Sequence, residues 1–416
     1  MSTANNTFTI PGKARNFSFI LLIAGIVLAA IGAAMNLDNP TRLWTGLLYN
    51  NIFFLMLGLV AALFLSAHIV GYGGWVTLFR RVPEAMMLYV PVGGILMLLI
   101  LYFGLHHIYH WSDPELYNPN GPHYDAILDG KRAFLNPGFF FIRALSYILI
   151  WSGLIWLLRR NSIQSDLNPS QGVQLYQSSK YLAAIFIVVY AVTSSTSSWD
   201  WIMSIQPHWY STLFGWYNFI SMFVTCNAVM MLILIFLTRN GYLQGITNEH
   251  FHDLGKFMFG FSVAWAYLFY SQFMLIWYAN IPEETMYFKY RIDNYPLLMW
   301  LCVVLNFVTP FFLLITRNAK RDNSRRIMIA AAIIIIFGHW LDFYQMTMPG
   351  ALANMAHGAA EETHGHHEVV RIGLYEIGLL LAYAGLFTYI FLYNLSRQSL
   401  ISVNHPFLKE SRVYHT

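Results

Sequence analysis

Ten apolar stretches, each long enough to cross a lipid bilayer as a helix, constrain the fold of this chain more than any other feature. A spanning helix takes about 20 mostly apolar residues. The predicted spans are residues 17–35, 47–72, 85–108, 137–158, 181–203, 213–237, 256–280, 296–316, 327–348 and 372–394. We therefore predict an all-α integral membrane protein with about ten transmembrane helices, in a single polytopic domain that covers residues 1–416.

The composition favours the same class of protein. Only 11% of the residues are charged and 57% are hydrophobic, whereas soluble domains carry about 25% charged residues. No loop between the predicted spans exceeds about thirty residues, so we expect no soluble domain. The net charge of +4 is spread over short loops, which argues against a nucleic-acid partner.

The distribution of basic residues predicts the orientation. With the N-terminus in the cytoplasm, 17 of the 24 Lys and Arg residues fall on the cytoplasmic side of the ten spans. Cytoplasmic loops of membrane proteins carry such an excess. We expect both termini to be cytoplasmic, and the first apolar run to be a retained helix rather than a signal peptide.

The cysteines argue against redox centres held by this chain. Cys226 and Cys302 are far apart, and both lie in apolar runs without a CxxC or CxxCH motif. Such spacing does not fit an iron–sulfur cluster or a c-type haem. The histidines likewise lack the paired arrangement of a b-type haem, so we expect this chain to bind no cofactor.

The stretch SSTSSWDWIMSIQPHWY, residues 194–210, places an acid at the outer end of the fifth predicted span. Polar side chains recur upstream at spacings of three or four, which puts them on one helix face. They are Tyr190, Thr193, Ser194, Ser197, Asp200 and Ser204. Ionisable residues inside a membrane are functional candidates, so Asp200, Ser194 and Ser197 are candidates for a proton relay. Hydrogen bonding between helices is the alternative for the hydroxyl groups.

A second polar patch lies in the ninth predicted span, in GHWLDFYQM, residues 338–346. His339, Asp342 and Gln345 are three residues apart and share one helix face. A carboxylate beside an imidazole is a plausible pair for proton exchange. Glu376 and Tyr383 lie on one face of the tenth span and are further candidates for the proton relay. The alternative for Glu376 is that its side chain extends to the membrane interface.

Two groups of histidines complete the set of candidates. His106, near the outer end of the third span, is expected to support the relay, because at least one of His106, His107 and His110 should face the bundle. The outer tract HGHH with nearby acids predicts at most weak metal binding. Its spacing fits no defined metal site and is more typical of a solvated loop. The tract comprises His357, Glu361, Glu362, His364, His366 and His367.

Two motifs resemble a known family. The run SSWDWIMSIQPHWYSTLFGWY, residues 197–217, and the GHWLDFYQM stretch look like the ActF-type membrane subunits of bacterial alternative complex III. These belong to the NrfD-like family, which includes the membrane subunit of polysulfide reductase. The resemblance implies two four-helix bundles, helices two to five and six to nine, with helices one and ten at the flanks.

The resemblance also implies a setting and partners. It places the chain in the bacterial inner membrane, in a complex that oxidises quinol or menaquinol, with membrane lipids around it. The complex would include a paralogous NrfD-like membrane subunit, a periplasmic iron–sulfur subunit, subunits with haem c, and in some cases a terminal oxidase. In such a complex this subunit would conduct protons or transmit conformational change, and Asp200 and the His339–Asp342 pair match positions in the family's polar motifs.

Three other functions remain open from the sequence. The chain itself would oxidise quinol if an aromatic cavity near His106, Asp200 and His339 accepted the headgroup. A secondary transporter is expected to show repeats with matched helix breaks, and only Pro310 interrupts a span near its middle. A purely structural subunit would share the partners and differ in the phenotype of its variants.

Overall fold

The computed structural model describes residues 7–359 and 371–415, apart from the side chains of residues 354–359. Over these ranges, ten helices are long and apolar enough to cross a membrane. They are α1 (Gly12–Ala34), α2 (Pro40–Val70), α3 (Arg81–Ile108), α4 (Pro137–Leu167), α5 (Pro169–Ile205), α6 (Leu213–Arg239), α7 (Asn248–Ala279), α8 (Pro296–Leu314), α9 (Arg326–Ala353) and α10 (Leu374–Ser396). The predicted all-α, multi-span architecture is confirmed.

Asn–Pro pairs start two of the central helices. The side chains of Asn39 and Asn136 accept hydrogen bonds from the backbone N–H groups of Arg42 and Phe139. The proline that follows each asparagine occupies the first helical position, where no backbone N–H is needed. Short polar signals of this kind therefore mark where α2 and α4 begin.

The helices form two four-helix bundles, as the resemblance implies. Helices α2, α3, α4 and α5 pack in a ring, and α6, α7, α8 and α9 form a second ring. The bundles meet through α2, α5, α6 and α9. Because α2 contacts helices of both bundles, it is the most buried of the ten.

Helices α1 and α10 form a flanking pair. Helix α1 packs along α10, and α10 rests on α2 and α3. Glycines bring the two backbones into contact: a Cβ atom on Gly25 would overlap the backbone of Ala382, and one on Gly378 would overlap Ala29. Small residues allow this close approach between membrane helices.

The two ends of the molecule differ in charge. We call the end that carries the α2–α3, α4–α5, α6–α7 and α8–α9 connections the basic end, and the other the opposite end.

The C-terminal segment after α10 folds across the basic end. Ser402 Oγ donates to Asp166 at 2.7 Å, and Tyr414 Oη donates to Asp253 at 2.5 Å. This segment therefore contacts both bundles.

Two membrane helices are irregular. A turn of π-helix, Val304–Val308, precedes Pro310 in α8. Pro349 lies inside α9. Proline removes a backbone donor and leaves a carbonyl four residues earlier without its usual partner. The opposite end also carries a connecting helix, Pro282–Asn294, between α7 and α8.

Candidate functional site

Asp342 lies in the core of the α6–α9 bundle and receives hydrogen bonds from three uncharged groups. Tyr217 Oη donates to Oδ1 at 2.5 Å, and Ser221 Oγ and Trp265 Nε1 each donate to Oδ2 at 3.0 Å. The aspartate is 2% exposed. All three donors are neutral side chains, so none of these hydrogen bonds brings a cation to the carboxylate.

His339 lies one turn before Asp342 on α9 and is fully buried. Its Nδ1 is 3.8 Å from Asp342 Oδ2, which is too long for a hydrogen bond. Neither ring nitrogen has a hydrogen-bond partner among the described residues. The edge of the imidazole meets Trp265, with ring centroids 5.6 Å apart. The predicted pair is thus adjacent but not directly hydrogen-bonded.

The π-turn of α8 brings Asn306 against α9 at the same level. Its side chain is fully buried, and neither its oxygen nor its nitrogen has a hydrogen-bond partner in the described part of the chain. A Cβ atom on Gly338, next to His339, would overlap the Asn306 side chain, so glycine is required there. Single π-turns occur frequently at functional sites.

Other buried hydroxyl groups share the inner faces of this bundle. Thr225 Oγ1 donates to the Ser221 carbonyl at 2.6 Å, one turn toward the basic end. Ser262, three residues before Trp265 on α7, is fully buried, and its hydroxyl has no partner within residues 7–353 and 371–415. We refer to Ser221, Thr225, Ser262, Asn306, His339 and Asp342 as the polar column.

Asp200 occupies a different environment, in the α2–α5 bundle. Arg143 Nε and Nη2 donate to its two carboxylate oxygens at 2.8 Å each, and Tyr147 Oη donates at 3.0 Å. The Arg143 guanidinium lies 3.9 Å from the Phe134 ring centroid and 4.3 Å from that of Phe139. Arg143 and Asp200 are 57 residues apart in the chain, and no sequence pattern predicted this pairing.

Hydroxyl groups on both sides of Asp200 donate to backbone carbonyls of their own segment. Ser197 Oγ donates to the Ser194 carbonyl at 3.1 Å, and Ser204 Oγ donates to the Asp200 carbonyl at 2.5 Å. Thr193 Oγ1 donates to the carbonyl of Val189. In these three cases the hydroxyl group donates to a carbonyl one turn back, because that is the nearest acceptor. Thr193 Oγ1 also accepts a hydrogen bond from Trp151 Nε1 of α4 at 2.8 Å, so at this position the expected hydrogen bond between helices is present.

Glu376 is also paired with arginine. Arg42 Nε and Nη2 donate to its carboxylate oxygens at 2.7 and 2.9 Å. The glutamate is fully buried, so it does not reach out to the interface. Tyr383, predicted on the same helix face, stacks against Phe54 of α2 with ring centroids 6.0 Å apart.

The expectation for His106 is not met. His106 and His107 are exposed, and His110 is partly exposed, while Leu105, Ile108 and Tyr109 supply the packed face of this segment. His106 Nδ1 lies 3.0 Å from Ser112 Oγ. Consecutive helical residues point in directions about 100° apart, so apolar neighbours took the inward positions. The tract of His364, His366 and His367 lies outside the described residues, as does the side chain of His357.

Gln345 and Arg291 connect α9 to the connecting helix. Arg291 Nε donates to the Gln345 carbonyl at 3.0 Å and Nη2 donates to the Met346 carbonyl at 3.1 Å. Pro349 cannot donate to the Gln345 carbonyl, and Arg291 replaces that donor. Arg291 Nη1 also donates to Gln206 Oε1 at 3.1 Å. Burial lowers the pKa of Arg291, although nearby tyrosines oppose the effect.

Gln206 therefore gives the SIQPHW segment a structural role that its sequence did not reveal. The segment follows α5 of the first bundle, while Arg291 and α9 belong to the second side of the molecule. A Cβ atom on Gly350 would lie 2.7 Å from the Gln206 side chain. This contact ties the two bundles together at the opposite end.

The sequence did not predict a charged cluster that lies at the basic end. Glu84 is fully buried and accepts from Arg80 at 2.9 Å, from Arg81 at 2.5 Å and from Arg159. Ser162 Oγ donates to Glu84 at 2.6 Å. Arginines at the ends of two apolar segments are the only sequence signal for it, and they resemble ordinary membrane-flanking charges.

Among the described residues, no group of three or more His, Cys, Asp or Glu side chains is arranged to hold a metal ion. The chain matches no known protein-family model and no curated protein at a significant level of sequence similarity. The candidate site in the α6–α9 bundle consists of the polar column. It combines one carboxyl group bonded to neutral donors with an adjacent imidazole, and both can hold or release a proton.

Proposed function

We propose that this chain is a proton-handling membrane subunit of a quinol-oxidising respiratory complex of the alternative complex III type. It would lie in the bacterial inner membrane with its basic end in the cytoplasm. Quinol oxidation, haem c and iron–sulfur clusters would belong to partner subunits, and this chain would supply a proton pathway. The respiratory setting rests on the sequence resemblance, and the proton-handling role rests on Asp342.

The single observation that supports the role is the difference in partners between Asp342 and the other two acids proposed for the relay. Asp200 and Glu376 are each held by an arginine through two hydrogen bonds. An adjacent arginine stabilises the charged carboxylate and opposes its protonation. Asp342 has no arginine or lysine partner among the described residues, and its three hydrogen-bond donors are uncharged.

The neighbours of Asp342 can adapt to either protonation state. The Tyr217 and Ser221 hydroxyl groups donate to the carboxylate, and each can instead accept a hydrogen bond when the carboxyl group carries a proton. The Trp265 indole can only donate and keeps one oxygen in place. His339 is close enough that a small side-chain movement would allow proton exchange with Asp342. The polar column then offers further groups toward the basic end.

Replacing Asp342 with asparagine tests the proposal. The asparagine oxygen would replace Oδ2 as the acceptor for Ser221 and Trp265, and its NH2 group would donate to the Tyr217 hydroxyl. The side chain would lose the titrating proton, and the fold should survive. In the intact complex from native membranes, we expect Asp342→Asn to lower the protons translocated per electron. The exposed Asp38 provides a matched control, and Asp38→Asn should leave this ratio unchanged. An unchanged ratio in Asp342→Asn would refute the proposed role of Asp342.

A second candidate function is quinol binding by this chain itself. A largely apolar cavity of about 480 Å³ lies between α7, α8 and the connecting helix, with Trp265, Phe269, Tyr270, Met299, Trp300 and Phe307 among its lining residues. Its volume is in the range of small-molecule sites. Trp265 connects it to Asp342, which could accept a proton from a bound headgroup. Asp200 lies in the other bundle, so this cavity differs from the one expected near His106, Asp200 and His339.

Filling the cavity distinguishes the two functions. Val303 lines it, while the adjacent Val304 is 43% exposed on the outside of α8. If the chain binds quinol, Val303→Trp should reduce the quinol that copurifies with it, and Val304→Trp should not. Equal quinol content in the two variants would leave proton handling as the function that the site supports.

A further inference from the structure

A cavity with a charged mouth lies at the basic end of α7. Its volume is about 430 Å³, and it is lined by Trp75, Asp253, Lys256, Phe257, Gly260 and Phe261. None of these residues belongs to the polar column. The cavity opens on the outer side of α7, where Lys256 and Gly260 are exposed. It is therefore accessible from the lipid phase.

An ion pair forms the mouth of this cavity. Lys256 Nζ lies 2.5 Å from Asp253 Oδ1, and the Tyr414 hydroxyl donates to Asp253 Oδ2 at 2.5 Å. Asp253 is 5% exposed, whereas the Lys256 side chain is 51% exposed. An ammonium group has three donors, and the contact with Asp253 uses one. Lys256 can thus bind a second anion from outside.

Below the mouth, the walls suit an apolar chain. The Trp75 and Phe257 rings stack with centroids 6.4 Å apart and an interplanar angle of 21°, and Phe261 lies 6.1 Å from Phe257. A Cβ atom on Gly260 would meet nothing within 4 Å. The absence of a side chain at this position leaves a groove along α7 beside the aromatic wall.

The depth of the mouth matches a lipid headgroup. Helix α7 begins at Asn248, so Lys256 is eight residues along it, or about 12 Å at 1.5 Å per residue. Polar headgroups occupy the outermost layers of a bilayer, next to a hydrocarbon core of about 30 Å. The groove at Gly260 lies one turn deeper. A cation above an apolar groove is the arrangement that a phospholipid would occupy.

We propose that this cavity binds one phospholipid from the basic-end leaflet. Its phosphate would accept hydrogen bonds from Lys256, and an acyl chain would lie over Gly260 against Phe257 and Phe261. Phosphate fits better than a neutral headgroup because ammonium–phosphate hydrogen bonds are charge-assisted and about twice as strong as neutral ones. The aromatic wall and the groove give the acyl chain a close-packed surface, which favours its retention when the protein is extracted into detergent. This proposal is independent of the proton pathway.

Lipid retention by the purified full-length chain tests this proposal. The probes are phosphatidylglycerol, phosphatidylethanolamine and diacylglycerol, each added to delipidated protein in detergent and measured by native mass spectrometry. We expect one molecule of either phospholipid to be retained, with diacylglycerol bound about tenfold less, which corresponds to about 1.4 kcal/mol. Equal retention of diacylglycerol would overturn the role of Lys256.

Two substitutions and a control complete the test. Gly260→Phe should fill the groove without a steric clash, and Lys256→Gln should remove the cation; each should lower phospholipid retention about tenfold. Gly153 of α4 also has no neighbour within 4 Å of a Cβ atom, so Gly153→Phe is the matched control and should retain the lipid. If all four proteins retained the same amount, the bound lipid would be unspecific and the proposal would be wrong.

Discussion

Arg143 holds Asp200 through two hydrogen bonds of 2.8 Å, one from Nε and one from Nη2. Both side chains are almost fully buried, and Tyr147 adds a third donor. These contacts join α4 to α5. The pairing with Arg143 therefore favours a structural role for Asp200, whereas the donors to Asp342 are all uncharged.

The first prediction concerns the stability of this ion pair. Asp200→Asn leaves the buried charge of Arg143 without a counter-charge, and removing one partner of a buried pair costs about 3–5 kcal/mol. We expect a clear fall in the midpoint of unfolding by sodium dodecyl sulfate. The double variant Arg143→Leu with Asp200→Leu should be less destabilised than either single leucine variant. A stable Asp200→Asn protein with fewer protons moved per electron would instead favour a relay at Asp200.

The second prediction concerns Arg291 and Pro349 of α9. Arg291→Gln removes the donors to the Gln345 and Met346 carbonyls, and each unsatisfied buried acceptor costs about 1–3 kcal/mol. Pro349→Ala restores a backbone N–H that can bond to the Gln345 carbonyl. We therefore expect the double variant to lose less stability than the sum of the two single variants. Simple additivity in the same unfolding assay would show that Arg291 does not replace the missing donor.

The third prediction concerns the contact between α1 and α10. A side chain at Gly385 would overlap the backbone of Leu22, next to the carbonyl of Ser18. Gly385→Leu should separate the helices and expose Ser18, which is fully buried. A Ser18→Cys reporter should then react with a membrane-permeable maleimide, whereas the buried Cys226 and Cys302 should stay unreactive. Gly153→Leu should leave the reporter protected; equal labelling in both backgrounds would contradict the close packing.

The fourth prediction concerns pH and the C-terminal segment. Burial lowers the pKa of His405 to about 2, and Arg80 and Arg81 add to the effect while Glu84 partly opposes it. His405 Nδ1 accepts a hydrogen bond from the Phe407 N–H at 3.3 Å, as a neutral imidazole does. The segment is therefore held in place by a histidine that must stay unprotonated.

The direction of the pH dependence follows from the pKa of His405 in the folded and the unfolded chain. In the unfolded chain the pKa of histidine is about 6.5, so at acid pH the unfolded chain binds the extra proton more readily than the folded one. The contribution of His405 to the free energy of unfolding is fully present above about pH 6.5. It is lost progressively as the pH decreases toward 2, and the loss is about 2 kcal/mol at pH 5. His405→Phe should remove this part of the pH dependence in unfolding curves at pH 8 and pH 5. His415→Phe, at an exposed position, should keep it; an equal slope in both variants would contradict the assignment.

The sequence by itself determined the number of membrane helices and their approximate positions, although the predicted second span began at residue 47 and α2 begins at Pro40. These features are local: apolar runs of sufficient length need no partner to be recognised, and an Asn–Pro pair caps its own helix. The His339–Asp342 adjacency was likewise predictable, because residues three apart on a helix share a face.

Only the tertiary structure decided which of the buried acids are paired with arginine. The partners of Asp200 and Glu376 are arginines 57 and 334 residues away, and no periodic pattern connects such distant positions. The same holds for Asp342, whose donors come from α6 and α7, and for Arg291, which replaces a donor that Pro349 lacks. Whether a buried carboxylate is charged depends on the groups that packing brings within about 3 Å of it, and packing is a property of the whole chain.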